Sequence, residues 1–182
     1  MRFSILLFAA FFISSVSFAQ SSGKIEPERG FAVSSKGDTL FGDINYMKRS
    51  GYRQSMQVKI DEQTTKTCSP RNYVFVKAGE HIFETFLVPG GEDKQFFWRK
   101  TGGKVFFYEY QYEFYQANNM VTKSEFYIRK KDSDELIKIG PANFKKKLTE
   151  IISDDAKLLA KLEEKDTKFE DLEELLIAYN TN

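Results

Sequence analysis

The segment Phe106-Phe107-Tyr108-Glu109-Tyr110-Gln111-Tyr112-Glu113-Phe114-Tyr115 constrains the fold more than any other part of this 182-residue chain. Phe106, Tyr108, Tyr110, Tyr112 and Phe114 occupy every second position, with Glu109, Gln111 and Glu113 between them. A period of two puts the five rings on one face of a β-strand and the polar groups on the other; a helix would scatter the rings around its circumference. Phe107 and Tyr115 break the alternation at its two ends. The ring-bearing face has two readings. It is either a ligand-facing platform for sugars or lipids, or a packing surface inside an antiparallel sheet or small barrel. Aromatics are favoured in strands with or without a ligand, so packing is the stronger expectation, with the rings shut away beneath the C-terminal end of the chain.

The surrounding segments also read as strands. Gly30 to Ser35 and Thr39 to Ile44 flank Lys36-Gly37-Asp38, a hairpin signal because Gly accepts the positive φ of a tight turn. Further strands are predicted at Met56 to Ile60, Tyr73 to Lys77, His81 to Val88, Gln95 to Arg99, Val121 to Lys130 and Glu135 to Ile139. Val88-Pro89-Gly90-Gly91, Gly102-Gly103 and Asn118-Asn119 carry turn composition.

Beyond Gly140-Pro141 the pattern changes. Phe144, Leu148, Ile151 and Ile152 fall on one face of a helix. Ser153-Asp154 is suited to cap a second helix carrying Leu158, Leu159 and Leu162. Thr167-Lys168-Phe169-Glu170 has capping-box spacing ahead of a third, with Phe169, Leu172, Leu175, Leu176 and Tyr179 on one side. Three short amphipathic helices must pack on one another or on the sheet. The expected class is therefore α+β: an antiparallel β-sheet or small open barrel over residues 20–140, followed by a helical cap over 141–182. The cap carries a net charge of −3 and the β part +3.

Residues 1–19 read as a signal peptide. Met1-Arg2 precedes an apolar run from Phe3 to Phe18, and Ser17-Phe18-Ala19-Gln20 places small residues where a signal peptidase reads. The run is too short and too serine-rich for a stable span, and no other apolar stretch approaches that length. The expected product is exported, periplasmic or extracellular, with no integral membrane span after signal removal. Cys68, the single cysteine, has no partner for an internal disulfide and is expected to be buried and structural.

The chemistry-bearing residues are few. A formal charge of +1 gives no basis for binding nucleic acid. His81 is the only histidine and lies in a strand-like run, which excludes a multi-histidine zinc site. No Gly-x-Ser-x-Gly elbow presents a nucleophile. Gly102-Gly103-Lys104 lacks the spacing and the following helix of a phosphate loop. Glu109 and Glu113 on one strand would stand about 13 Å apart, too far for either glycosidase geometry. No catalytic residue, metal or cofactor is expected.

Two segments carry a resemblance. At the front it rests on Gly30-Phe31-Ala32-Val33 and Gly37-Asp38-Thr39-Leu40-Phe41-Gly42-Asp43-Ile44. At the back it rests on Phe144-Lys145-Lys146, Leu148, Ser153-Asp154 and Asp171-Leu172 through Tyr179-Asn180. In these the chain resembles a family of uncharacterised exported proteins of Bacteroidota, and departs from it at Cys68-Ser69-Pro70-Arg71. The resemblance implies a compartment and a two-part layout, and no activity. The reading that follows is an exported, non-catalytic cell-envelope module that binds, or serves structurally beside, an unidentified envelope protein or polymer. The alternative is a periplasmic carrier of a hydrophobic ligand held by Phe106, Tyr108, Tyr110, Tyr112 and Phe114, with a hydrolase a distant third.

Overall fold

The computed structural model describes residues 26–46, 55–117 and 119–182. The signal-peptide reading and Asn118 of the expected turn lie outside the described residues. Ten strands form one antiparallel sheet: β1 (Glu28–Ser34), β2 (Thr39–Asn45), β3 (Met56–Lys59), β4 (Thr65–Cys68), β5 (Tyr73–Ala78), β6 (His81–Leu87), β7 (Lys94–Thr101), β8 (Val105–Gln116), β9 (Asn119–Lys130) and β10 (Ile137–Ile139). Their spatial order is β10-β9-β8-β7-β6-β5-β1-β2-β3-β4, so the sheet is open and the α+β expectation holds. Three helices follow, α1 (Phe144–Ile151), α2 (Ala156–Glu163) and α3 (Leu172–Thr181), with one 3-10 turn at Phe169–Asp171 before the last.

The β1–β2 hairpin closes as its composition demands. Gly37 sits at φ +92°, and the Ser34 hydroxyl accepts from the Lys36 and Asp38 N–H groups at 3.2 and 3.1 Å. Farther along, Gly30 of β1 lies opposite Gly42 of β2. A Cβ on Gly30 would collide with the Lys77 carbonyl of β5, and one on Gly42 with the Lys59 carbonyl of β3. Both glycines are therefore required by close backbone approach.

That approach accompanies a strong curl. Ala32, Ile44, Met56, Val58, Cys68, Val76, Phe83 and Phe96 form one buried cluster contributed by strands alone. A flat sheet would leave this face in water and hold β2 about 14 Å from β6. Instead the Tyr46 ring, just past β2, lies 5.1 Å from Phe83 and 5.2 Å from His81 of β6. The sheet thus covers its own inner face at the β1–β7 end. At the β8–β10 end the same face is covered by the helices: Val105, Phe107, Ile128 and Ile139 pack with Phe144, Leu148, Leu162, Leu172, Leu175 and Leu176.

Two local expectations are corrected, and one strand is added. The α2 cap is Asp155, whose carboxylate accepts from the Lys157 and Leu158 N–H groups at 3.1 Å, while Asp154 takes the Tyr179 hydroxyl at 2.7 Å. Thr167 does not build a capping box; its hydroxyl donates to the Lys161 carbonyl at 2.6 Å, and the Lys168 N–H donates to the Asp171 carboxylate at 2.8 Å. Strand β4 was hidden because Thr65-Lys66-Thr67 offers no apolar side chain before Cys68.

Cys68 is free and fully buried opposite Met56. Burial pushes its thiol up to about 11. At pH 8 only about one molecule in a thousand then carries the reactive thiolate. Native protein is expected to resist an Ellman-type reagent at pH 8, and denatured protein to react fully; rapid native labelling would contradict this placement.

Candidate functional site

The five alternating rings do share one face, but the helices pack on the other. Val105, Phe107 and Glu109 point towards the helical side, so the expectation that the rings lie beneath the terminal bundle is overturned. The physical reason is that β8 is apolar on both faces at its start. Phe107, which breaks the alternation in sequence, is the residue the helices cover.

The structure divides the five rings into two groups. Phe106 and Tyr108 belong to a cluster anchored on Glu84 of β6. The Glu84 carboxylate accepts from Arg99 Nη1 at 2.6 Å and from the Tyr108 hydroxyl at 2.7 Å, with Arg129 Nη2 3.7 Å away. Arg129 also donates to the Tyr108 oxygen and places its guanidinium 4.5 Å from the Phe106 ring centroid. Burial and the adjacent Glu84 charge raise the Tyr108 phenol well above its ordinary range. Tyr108 is fully buried with Phe97 and Tyr127, flanked by Phe86, Val88 and Leu136. These residues support the fold.

Tyr110, Tyr112 and Phe114 are different. The pairing of β8 with β7 covers Phe107 to Glu109; from Tyr110 onwards β8 is paired with β9 as a two-stranded ribbon. Along it the rings lean on one another: Phe97 to Tyr110 at 5.0 Å, Tyr110 to Tyr112 at 5.6 Å, and Tyr112 to Phe114 at 6.2 Å between centroids. Lys123 Nζ lies 4.7 Å from the Phe114 centroid, and Glu125 accepts from Lys138, Tyr127 and Tyr112. Although burial pushes Glu125 up, the Lys138 ammonium and the Tyr127 hydroxyl hold it below its usual range. All three rings remain half-buried, and at the ribbon's end Tyr115 and Met120 are 76% and 51% exposed. The result is a row of rings with charged side chains along its flank.

His81 joins a hydrogen-bonded set that sequence reasoning missed. The Tyr46 hydroxyl donates to Glu28 Oε1 at 2.8 Å, and its oxygen lies 2.7 Å from His81 Nδ1. Burial, reinforced by Glu28, raises the Tyr46 phenol strongly. Tyr46 is distant in sequence from both partners, so only the curl of the sheet reveals the set.

Two grooves flank the helices, and none of the five rings lines either. One, of about 350 Å³, mixes Lys104, Lys130 and Lys131 with Asp132 and Asp154. The other, of about 460 Å³, runs between β8–β9 and the start of α3 and is lined by Phe107, Phe126, Phe169, Glu109, Glu170 and Glu173, with Lys100 at its edge. Among the described residues no three His, Cys, Asp or Glu side chains are grouped to hold a metal ion. No described helix is long and apolar enough to cross a membrane. In comparisons with known proteins, the chain matches no family model, no curated protein and no solved structure.

Proposed function

We propose that this is an exported, non-catalytic binding module of the cell envelope, of the Bacteroidota family it resembles, and that the β8–β9 ribbon is its contact surface. The observation that carries the reading is the row Tyr110-Tyr112-Phe114 on the sheet face the helices leave uncovered. Rigid rings lose little conformational freedom on contact and present apolar area beside polar handles, here the Tyr112 hydroxyl, Glu125 and Lys123. Export rests on the sequence of residues 1–20. The carrier reading is less favoured, because the two grooves lie away from the five rings.

Wild-type protein is expected to sediment with purified envelope fragments, and the double variant Tyr112→Ser, Phe114→Ser to lose about thirtyfold in retention, since each ring contributes on the order of 1 kcal/mol. Its thermal unfolding should stay close to wild type, because the rings lie outside the buried clusters. Equal retention of the double variant, or none of wild type, would count against the reading.

A further inference from the structure

The 460 Å³ groove lies on the helical side, away from the ribbon rings, and has a chemistry of its own. Phe107 and Phe126 stack at 5.7 Å with 19° between their planes, and Phe169 meets Phe126 at 5.4 Å and 68°. Phe107 is only 3% exposed beneath the helices, so the ring faces the groove offers are those of the half-buried Phe126 and Phe169, which meet at a steep angle. Glu109, only 8% exposed, lines the same groove from β8. Ser124 and Gln111 donate to it at 2.6 and 2.8 Å, and both bonds land on Oε1. Glu170 stands exposed at the rim, and Glu173 is paired with Lys100 at 3.6 Å. Lys100 is the one basic residue among the groove's lining, and its ammonium already rests 3.8 Å from the Trp98 ring centroid. The groove therefore keeps two carboxylates, Glu109 and Glu170, without a basic counterpart in its lining.

From this arrangement we infer that the groove binds a small organic cation of the quaternary-ammonium type. Ring faces attract a cation through their quadrupole, and the carboxylates add a favourable field. A metal ion or a primary ammonium is strongly hydrated and needs several oxygen ligands or acceptors, which walls of phenylalanine do not supply. A quaternary ammonium has no N–H to satisfy and sheds water readily, so it suits a corner of rings lined also by carboxylates. The volume exceeds that of the headgroup alone and leaves room for a tether.

The test uses choline and its uncharged carbon isostere, with a tert-butyl group in place of trimethylammonium, titrated into the intact protein by NMR. Choline is expected to saturate, shifting the Phe126 and Phe169 ring signals, and the isostere to bind about tenfold more weakly. Glu109→Gln and Glu170→Gln should each weaken choline binding severalfold, and Glu150→Gln on α1 should not. Should Glu109→Gln fail to fold, Glu170→Gln at the exposed rim decides alone. The ribbon variant Tyr112→Ser, Phe114→Ser should bind choline like wild type, which separates this site from the proposed contact surface. Absence of saturation, equal binding of the isostere, or unchanged binding in the two glutamine variants would overturn the inference.

Discussion

Glu84→Ala is expected to cost about 3–5 kcal/mol of folding stability, measured by urea unfolding. Arg99 and Arg129 converge on this carboxylate from two different strands, and all three side chains are mostly shielded from water. Removing the anion leaves two guanidiniums close to the Phe106 ring with no counter-charge, and deprives the Tyr108 hydroxyl of the acceptor for its proton. The cost comes from that exposed imbalance more than from the lost attraction. Glu84→Gln keeps the shape and one acceptor, so its loss should be intermediate. The surface pair Arg29–Asp43 provides the control, and Asp43→Ala should cost less than about 1 kcal/mol. A Glu84→Ala loss no larger than that of the control would show that the cluster is not part of what holds the sheet together.

The second large effect is expected at the other end of the chain. The Asn180 side chain accepts from the Val105 N–H at 2.9 Å and donates to the Val105 carbonyl at 2.8 Å. An amide on the last helix thereby stands where a neighbouring strand would, at the first residue of β8. Val105 is buried, so Asn180→Leu leaves a donor and an acceptor unsatisfied away from water. At about 1–3 kcal/mol for each orphaned group, a combined loss of about 2–6 kcal/mol is expected. For a protein of this size that lowers Tm by roughly 5–20 °C. The Val105 amide should also exchange its hydrogen faster. Unchanged Tm together with unchanged protection at Val105 would refute the latch.

The sequence made some of this legible and hid the rest for identifiable reasons. Periodicity reveals which residues share a face, and it placed Phe106 to Phe114 together correctly. It does not reveal which face a second layer will choose when both faces are apolar, as Phe106 and Phe107 make them here. Alternation sets Glu109 on the face opposite the five rings and says nothing of its burial, which depends on the helices arriving on that side. Glu84, Arg99 and Arg129 come from three separate strands, and only the strand register brings them together. Several glycines at the front and one asparagine at the back have constructional roles. Gly37 makes a turn, Gly30 and Gly42 admit neighbouring carbonyls, and Asn180 fastens the last helix. Gly30, Gly37, Gly42 and Asn180 do not line the 460 Å³ groove, whereas Leu172 and Glu173 of the back motif do.

The strand order has a consequence for how the molecule assembles. Among the described strands, eight of the nine neighbouring pairs join consecutive segments, and β1 beside β5 is the exception. Two meanders can therefore zip up independently from local hairpins, each closing only short loops. A single seam between them must wait until both are in place, and it carries nearly all the long-distance ordering of the sheet. The seam runs along β1, the strand of Gly30, so the expected late step of assembly is also one where a Cβ would collide with the neighbouring strand.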